Sequence, residues 1–289
     1  MGNDIDDALA LAMIHSLESR GECRLLAVTL TKDHPKAAPF VDAINTFYKR
    51  GSVPIGAVRD GKTQEEGKYL GSVADHPDLF PRDLTDGASA PDAVDLLRKT
   101  LAAQPDGSVT IVQVGFSTNL ARLIASEPDR ELVRRKVKLL SLMGGAFPPT
   151  LAEYNIKIDL EASRSLFALW PTPIVASGFE IGRALLFPAT SIEKDFAYVA
   201  HHPVVAGYRA YMKMPYDRPS WDLTSVLYAV RPDRAYFGLS PAGTISIDAQ
   251  GYSRFTPGKQ GAHRYLTMTE EQQATVLATL IALASEPPH

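Results

Sequence analysis

The chain has 289 residues, 45% of them hydrophobic and 22% charged, with a formal net charge of −3. That composition supports a sizeable buried core and gives neither nucleic acid nor an anionic membrane a charge to bind. Cys23 is the single cysteine, which excludes internal disulfides and cysteine-based zinc sites. No apolar run reaches membrane-spanning length and no basic segment leads into one, so the chain as written is expected to be cytoplasmic. A signal peptide upstream of Met1 would change that to secreted or periplasmic.

The chain opens on "MGNDIDDALALAM", which places Asp4, Asp6 and Asp7 directly ahead of an apolar helical run to about residue 20, with Gly21 as its stop. "CRLLAVTLT" reads as a buried strand. "PKAAPFVDAINTFYKR" reads as a helix with Pro35 in its first turn, and "SVPIGAV" as a strand. A polar, Gly-rich loop follows, including "RDGKTQEEGKYLG". The alternation then resumes: "SAPDAVDLLRKTLAAQ" as a helix capped by Ser89, "SVTIVQVG" as a strand, "STNLARLIAS" as a helix. "VKLLSLMGG", "DLEASRSLFALW" and "TPIVASGF" continue as strand, helix and strand.

Regular alternation predicts an α/β chain, a mostly parallel, doubly wound sheet with helices on both faces. Beyond it, "HPVVAGYRAYM" and "SWDLTSVLYAVR" read as consecutive helices and "GTISIDAQGYSRFTP" as a hairpin. Thr269 with Gln272 resembles a capping box for a final helix. With no repeat, low-complexity tract or linker, residues 1–289 are expected to form a single domain.

One element is out of place. In a doubly wound sheet a ligand site lies at the carboxyl end of a strand, on the loop into the next helix. Asp4, Asp6 and Asp7 occupy such a loop, yet no strand feeds it. Two readings are open for these carboxylates. Aspartates are favoured at a helix N-terminus, where they accept backbone N–H bonds and meet the positive dipole end. Three together also suit a hard cation, since adjacent carboxylates otherwise raise each other's pKa.

Other strand ends offer partners. "VGFSTNL" sets Thr118 and Asn119 just past a strand, and "LMGGAF" sets two glycines where a backbone approaches something closely. "AEYNIKID" places Glu153 and Asn155 on one face if the segment is extended, a pair suited to hydroxyls. "RPSWDLTS" puts Asp222 at a helix start. Each has a bland reading as a cap or surface loop. Together they describe a hard-cation site holding a polyhydroxylated ligand.

The order of "DDALAL", "LAVT", "STNLA", "MGGA", "AEYNIKIDLEAS" and "WDL" resembles the inosine-uridine preferring nucleoside hydrolases over most of the chain to about residue 230. The resemblance implies calcium-dependent hydrolysis of the N-glycosidic bond of ribonucleosides. It implies Asp7, the main-chain oxygen of Thr118 and Asp222 as calcium ligands, with Asp6, Glu153 and Asn155 holding ribose hydroxyls. A small-molecule ribonucleoside is then the expected partner, and a homo-oligomer the expected assembly.

Departures from the family pattern carry their own expectations. Asp4 is extra within "GNDIDD". "TKDHP" offers Asp33 or His34 where the family often has an asparagine. "WD" replaces the late His-Asp, so Trp221 stacks on the base but donates no proton as a histidine would. The family's first aspartate, which the resemblance implies as the base, is expected before Met1 along with its strand. The sheet is therefore expected to lack a first strand, calcium binding and turnover to be impaired, and Asp6, or Asp4 as a substitute, to act as base. Alternatives from other classes are a non-catalytic nucleoside- or sugar-binding protein on this scaffold and a phosphoryl-transfer protein. The second lacks the D-x-D-x-T motif it needs.

Overall fold

The computed structural model describes residues 1–289. α1 (Asp6–Ser19) is apolar on every side, with Ala8, Leu9, Ala10, Leu11, Ala12 and Met13 all buried, which makes the first element a central helix instead of a surface one. β1 (Val28–Leu30), α2 (Ala37–Phe47), β2 (Ile55–Ala57) and the short α3 (Gly71–Ala74) follow. Next come α4 (Ala93–Ala102), β3 (Val109–Gln113), α5 (Thr118–Leu123), α6 (Glu127–Lys136) and β4 (Val137–Met143). α7 (Tyr154–Ile158), α8 (Leu160–Leu169), β5 (Ile174–Ser177), α9 (Phe179–Arg183), β6 (Leu186–Phe187) and α10 (Ala189–Lys194) continue the chain. It closes with α11 (Pro203–Tyr211), β7 (Arg218–Pro219), α12 (Trp221–Val230), β8 (Gly238–Leu239), β9 (Gly243–Ile247), β10 (Ser253–Pro257), β11 (His263–Thr267) and α13 (Glu270–Ala284).

The main sheet runs β10-β9-β11-β5-β4-β3, with β8 attached to β11. β3, β4, β5 and β11 are mutually parallel, and the β9–β10 hairpin is antiparallel. β1 and β2 form a separate parallel pair. No backbone ladder joins β1 to β3, so the parallel layer is split between them. Side chains bridge the split: Asn119 Nδ2 donates to the Leu30 carbonyl at 2.9 Å, and the Phe116 amide to Thr31 Oγ1 at 3.3 Å.

Two large apolar clusters, and a third of four buried residues, flank this framework. The larger gathers α1, α2, α11, α12 and α13 with Leu30 and Ile55; the smaller packs α8 and the α5–α6 region on β3, β4 and β5. α1 contacts both α12 and α13, which brings the N-terminal ends of α1 and α12 together.

Several local readings change. The α4 cap is Asp92, whose carboxylate accepts from Val94 and Asp95 amides, because Ser89 belongs to the preceding 3-10 turn. β1 is three residues long, since the sheet gives it only β2 to pair with. β11 and the charged helix α6 are additional elements. The capping box at Thr269 and Gln272 is present in full.

Candidate active site

Three carboxylates meet where α1 and α12 begin. Asp6 and Asp7 sit in the first turn of α1, and Asp222 in the first turn of α12. One oxygen from each lies within 4.8 Å of the others. Asp6 and Asp222 are buried, and the Asp7 side chain is 11% exposed.

Helix capping does not account for the cluster. The residue preceding α1 is Ile5, with no side-chain cap, and Asp6 Oδ2 instead accepts from the Asp222 amide at 3.0 Å. Burial above all, then the neighbouring carboxylates, pushes Asp6 and Asp222 well above the usual carboxylate range. Burial raises Asp7 as well, against the Met1 ammonium 2.7 Å from its Oδ1. The positive ends of two helices favour anions here, yet repulsion among three remains. All-oxygen donors, buried and under-compensated, fit a hard divalent cation.

A cavity of about 440 Å³ opens over the cluster. Asp4, Asp6, Asp7 and Asp222 line it, as do Glu153, Asn155 and Trp221, so residues from three distant segments converge. Glu153 and Asn155 reach it from a helix start, not from an extended strand. Glu153 is the N-cap of α7, its carboxylate accepting from the Asn155 amide at 2.9 Å, Ile156 at 3.2 Å and Gly145 at 3.3 Å. Burial lifts its pKa to about 7 even against those donors. The Asn155 amide donates to the Val114 carbonyl at 3.3 Å and the Met143 carbonyl at 3.4 Å, which orients its oxygen away from both.

The paired glycines have a definite use. Gly145 has φ +81°, and a Cβ there would stand 2.9 Å from Ser253 Oγ. Ser253 Oγ also bonds the Ala146 amide and carbonyl, both at 2.9 Å, so the hairpin pins the loop that feeds an amide to Glu153.

The other wall is aromatic. Phe179, Tyr211 and Trp221 line it, with Phe179 and Trp221 stacked at 5.4 Å and 27°. Trp221 Nε1 donates to the Phe179 carbonyl at 2.9 Å. Gly182 lies under Trp221 so closely that a Cβ there would overlap its main chain and ring.

Three expected roles meet obstacles. Thr118 is buried in the first turn of α5, its hydroxyl donating to Asp159 Oδ2 at 2.6 Å, and it does not line the cavity. β3 ends at Gln113, so the chain passes the cavity as Val114 and Gly115 and has turned into a helix by Thr118. His34 lies outside the lining too, its Nδ1 accepting from the Lys36 amide at 3.2 Å where α2 begins. Thr31 is the β1-end residue that lines the cavity. Asp4 does line it, but both its oxygens are taken: Oδ1 accepts from Arg218 Nε at 2.9 Å and the Ile5 amide at 2.7 Å, and Oδ2 from Arg218 Nη2.

Sequence reasoning missed Val114, Phe179, Tyr211 and Arg218. The first two stand immediately past strand ends, the one signal available for them. Tyr211 and Arg218 sit at the end of a helix and in a two-residue strand, and carry none.

The inosine-uridine preferring nucleoside hydrolase family model matches residues 1–282. The pyrimidine-specific ribonucleoside hydrolase RihA of Salmonella enteritidis is 30% identical over 208 residues, 65% of this chain and 61% of that protein. The chain thus aligns with about three fifths of the length of that relative. An inosine-uridine preferring nucleoside hydrolase from Bacillus anthracis superposes with a TM-score of 0.75 over 98% of this chain and 96% of its own, at 16% identity. A plant nucleoside hydrolase superposes at 0.72 over 99% and 98%, at 18% identity. These superpositions speak to the fold, a nucleoside hydrolase α/β fold with helices on both sides of a mostly parallel sheet. With the match over 282 residues, the chain belongs to the inosine-uridine preferring nucleoside hydrolase family.

Proposed function

We propose that this protein hydrolyses the N-glycosidic bond of ribonucleosides to ribose and the free base. The observation that carries the reading is the cavity itself: a buried carboxylate triad, Glu153 and Asn155 beside it, and an aromatic wall opposite. Family membership supports it.

The triad would hold a hard divalent cation, calcium by its all-oxygen donors, through Asp6, Asp7 and Asp222. When bound, such an ion lowers the pKa of water and anchors vicinal hydroxyls. The remaining chemistry falls to the chain's own groups. Glu153 accepts from one ribose hydroxyl, and Asn155, with its amide hydrogens committed to carbonyls, offers its oxygen to another. Asp6, which lines the cavity beside the cation site, takes the proton of the attacking water. The water oxygen then bonds to the anomeric carbon as the C–N bond breaks and its electron pair leaves with the base. The sugar passes through oxocarbenium character that nearby carboxylates stabilise. The base takes a proton from solvent, because the Trp221 N–H is already given to Phe179 and an indole is no acid at neutral pH.

Purified protein incubated with calcium and inosine or uridine should release reducing sugar, and chelation should stop it. Binding of nucleoside by calorimetry with no sugar released would select the non-catalytic binder instead.

A further inference from the structure

Arg218 touches three cavity-wall residues from three segments of the chain without lining the cavity itself. It grips Asp4 in the N-terminal loop through Nε and Nη2, one bond to each carboxylate oxygen. Its guanidinium carbon lies 5.0 Å from the Tyr211 ring centre, at the end of α11, and 5.2 Å from the Trp221 ring, at the start of α12. The side chain is 19% exposed, so these contacts are largely shielded from water. A planar guanidinium satisfies a carboxylate edge-on while its faces meet aromatic rings, which lysine does less well.

The neighbours leave Trp221 few other restraints on that side. Gly182 gives it a floor, and Phe179 a stacking partner and an acceptor. Tyr211 packs into the larger apolar cluster, and its ring meets Lys68 at 4.9 Å, Arg218, Tyr69 and Tyr216. Arg218 ties both rings, Tyr211 and Trp221, to the Asp4 carboxylate of the acidic loop.

We propose that Arg218 is a positioning residue for the leaving-base side of the cavity, holding Tyr211, Trp221 and Asp4 in one arrangement that receives the flat face of a nucleobase. The inference rests on the hydrolase reading for its substrate, but not for its geometry. A strut of this kind acts on binding of the base and leaves recognition of the sugar alone.

The chain contains two tryptophans, so a Trp170→Phe background makes Trp221 the sole indole reporter. In that background Arg218→Met should shift Trp221 emission and increase its quenching by acrylamide. It should also raise KM for inosine about tenfold with kcat within about threefold, the pattern of lost uniform binding. Inhibition by free ribose should stay unchanged, and Arg218→Lys should recover part of the loss. Unchanged emission, or an equal loss of ribose and nucleoside affinity, would overturn the proposal, as would a fall in kcat alone. If the background does not fold, the difference between Trp221→Phe and Trp221→Phe/Arg218→Met emission, set against the parent and Arg218→Met pair, isolates the same signal. If the parent protein releases no ribose, the hydrolase reading fails and Trp221 emission still decides the role of Arg218.

Discussion

The amide of Asp222 donates to the carboxylate of Asp6 across 3.0 Å, joining helix starts 216 residues apart in the chain. The bond fixes the spacing of the carboxylates before any cation arrives. It also means that the cluster is assembled at a cost in repulsion, which the surrounding apolar core of α1 and α12 sustains.

Removing one of these charges should therefore have opposite effects on stability and on metal response. Asp222→Asn should raise the melting temperature of metal-free protein, since it relieves repulsion within the triad. Calcium at a hundredfold excess over Kd should stabilise the parent by about 2.7 kcal/mol and the variant far less. Thermal unfolding with calcium and with chelator measures both.

Glu153 gives a pH signature of its own. Its pKa rises from the usual 4.5 to about 7 on folding, so the folded state holds its proton more tightly. The stability this contributes is complete below about pH 4.5 and is lost as pH rises through 7, a change of about 3 kcal/mol. Glu153→Gln should flatten that slope in urea unfolding at pH 5 and pH 8 without metal. A slope equal to the parent's would assign the effect to another group.

His202 works in the opposite direction. Burial lowers its pKa to about 3, and its Nδ1 caps α11 by accepting from the Val204 amide at 3.2 Å. The stability it contributes is full above the ordinary value near 6.5 and falls as pH drops, by about 3 kcal/mol at pH 4. His202→Asn keeps a capping acceptor, so it should lessen the acid slope between pH 6.5 and pH 4. Denaturant unfolding across that range is the check.

Asn155 separates a binding role from a structural one. Asn155→Asp puts carboxylate oxygens against the Val114 and Met143 carbonyls, whereas Asn155→Ala leaves a gap. The aspartate variant should be the less stable of the two by about 1–3 kcal/mol, although it is closer in shape. Both should lose kcat/KM for ribonucleosides.

The sequence made some of this legible and hid the rest for physical reasons. The apolar spacing behind Asp6 and Asp7 shows a helix, and Thr269 with Gln272 shows a helix start, because both signals are local; that the first helix is buried on every side appears only in the packing. The split between β1 and β3 follows from the order of elements. Thr118 misled because the residue whose backbone faces a cavity depends on where the strand stops, here at Gln113. Glu153 was legible as a residue of the cavity but not as a cap, since "AEYNIKID" suits either a strand or a helix start. The commitment of Asp4 was hidden altogether: its partner, Arg218, lies 214 residues later.

Gly182 has no side chain to contribute, and that is its contribution. Trp221 occupies the volume a Cβ would need, so the two positions are one steric unit divided between α9 and α12. Neither can change alone: a larger residue at 182 evicts the indole, and a smaller one at 221 leaves a hole over the glycine. Across relatives of this chain the pair should therefore be inherited together, with tryptophan at the helix start accompanied by glycine beneath it, and bulk exchanged between the two positions wherever the base wall has been rebuilt.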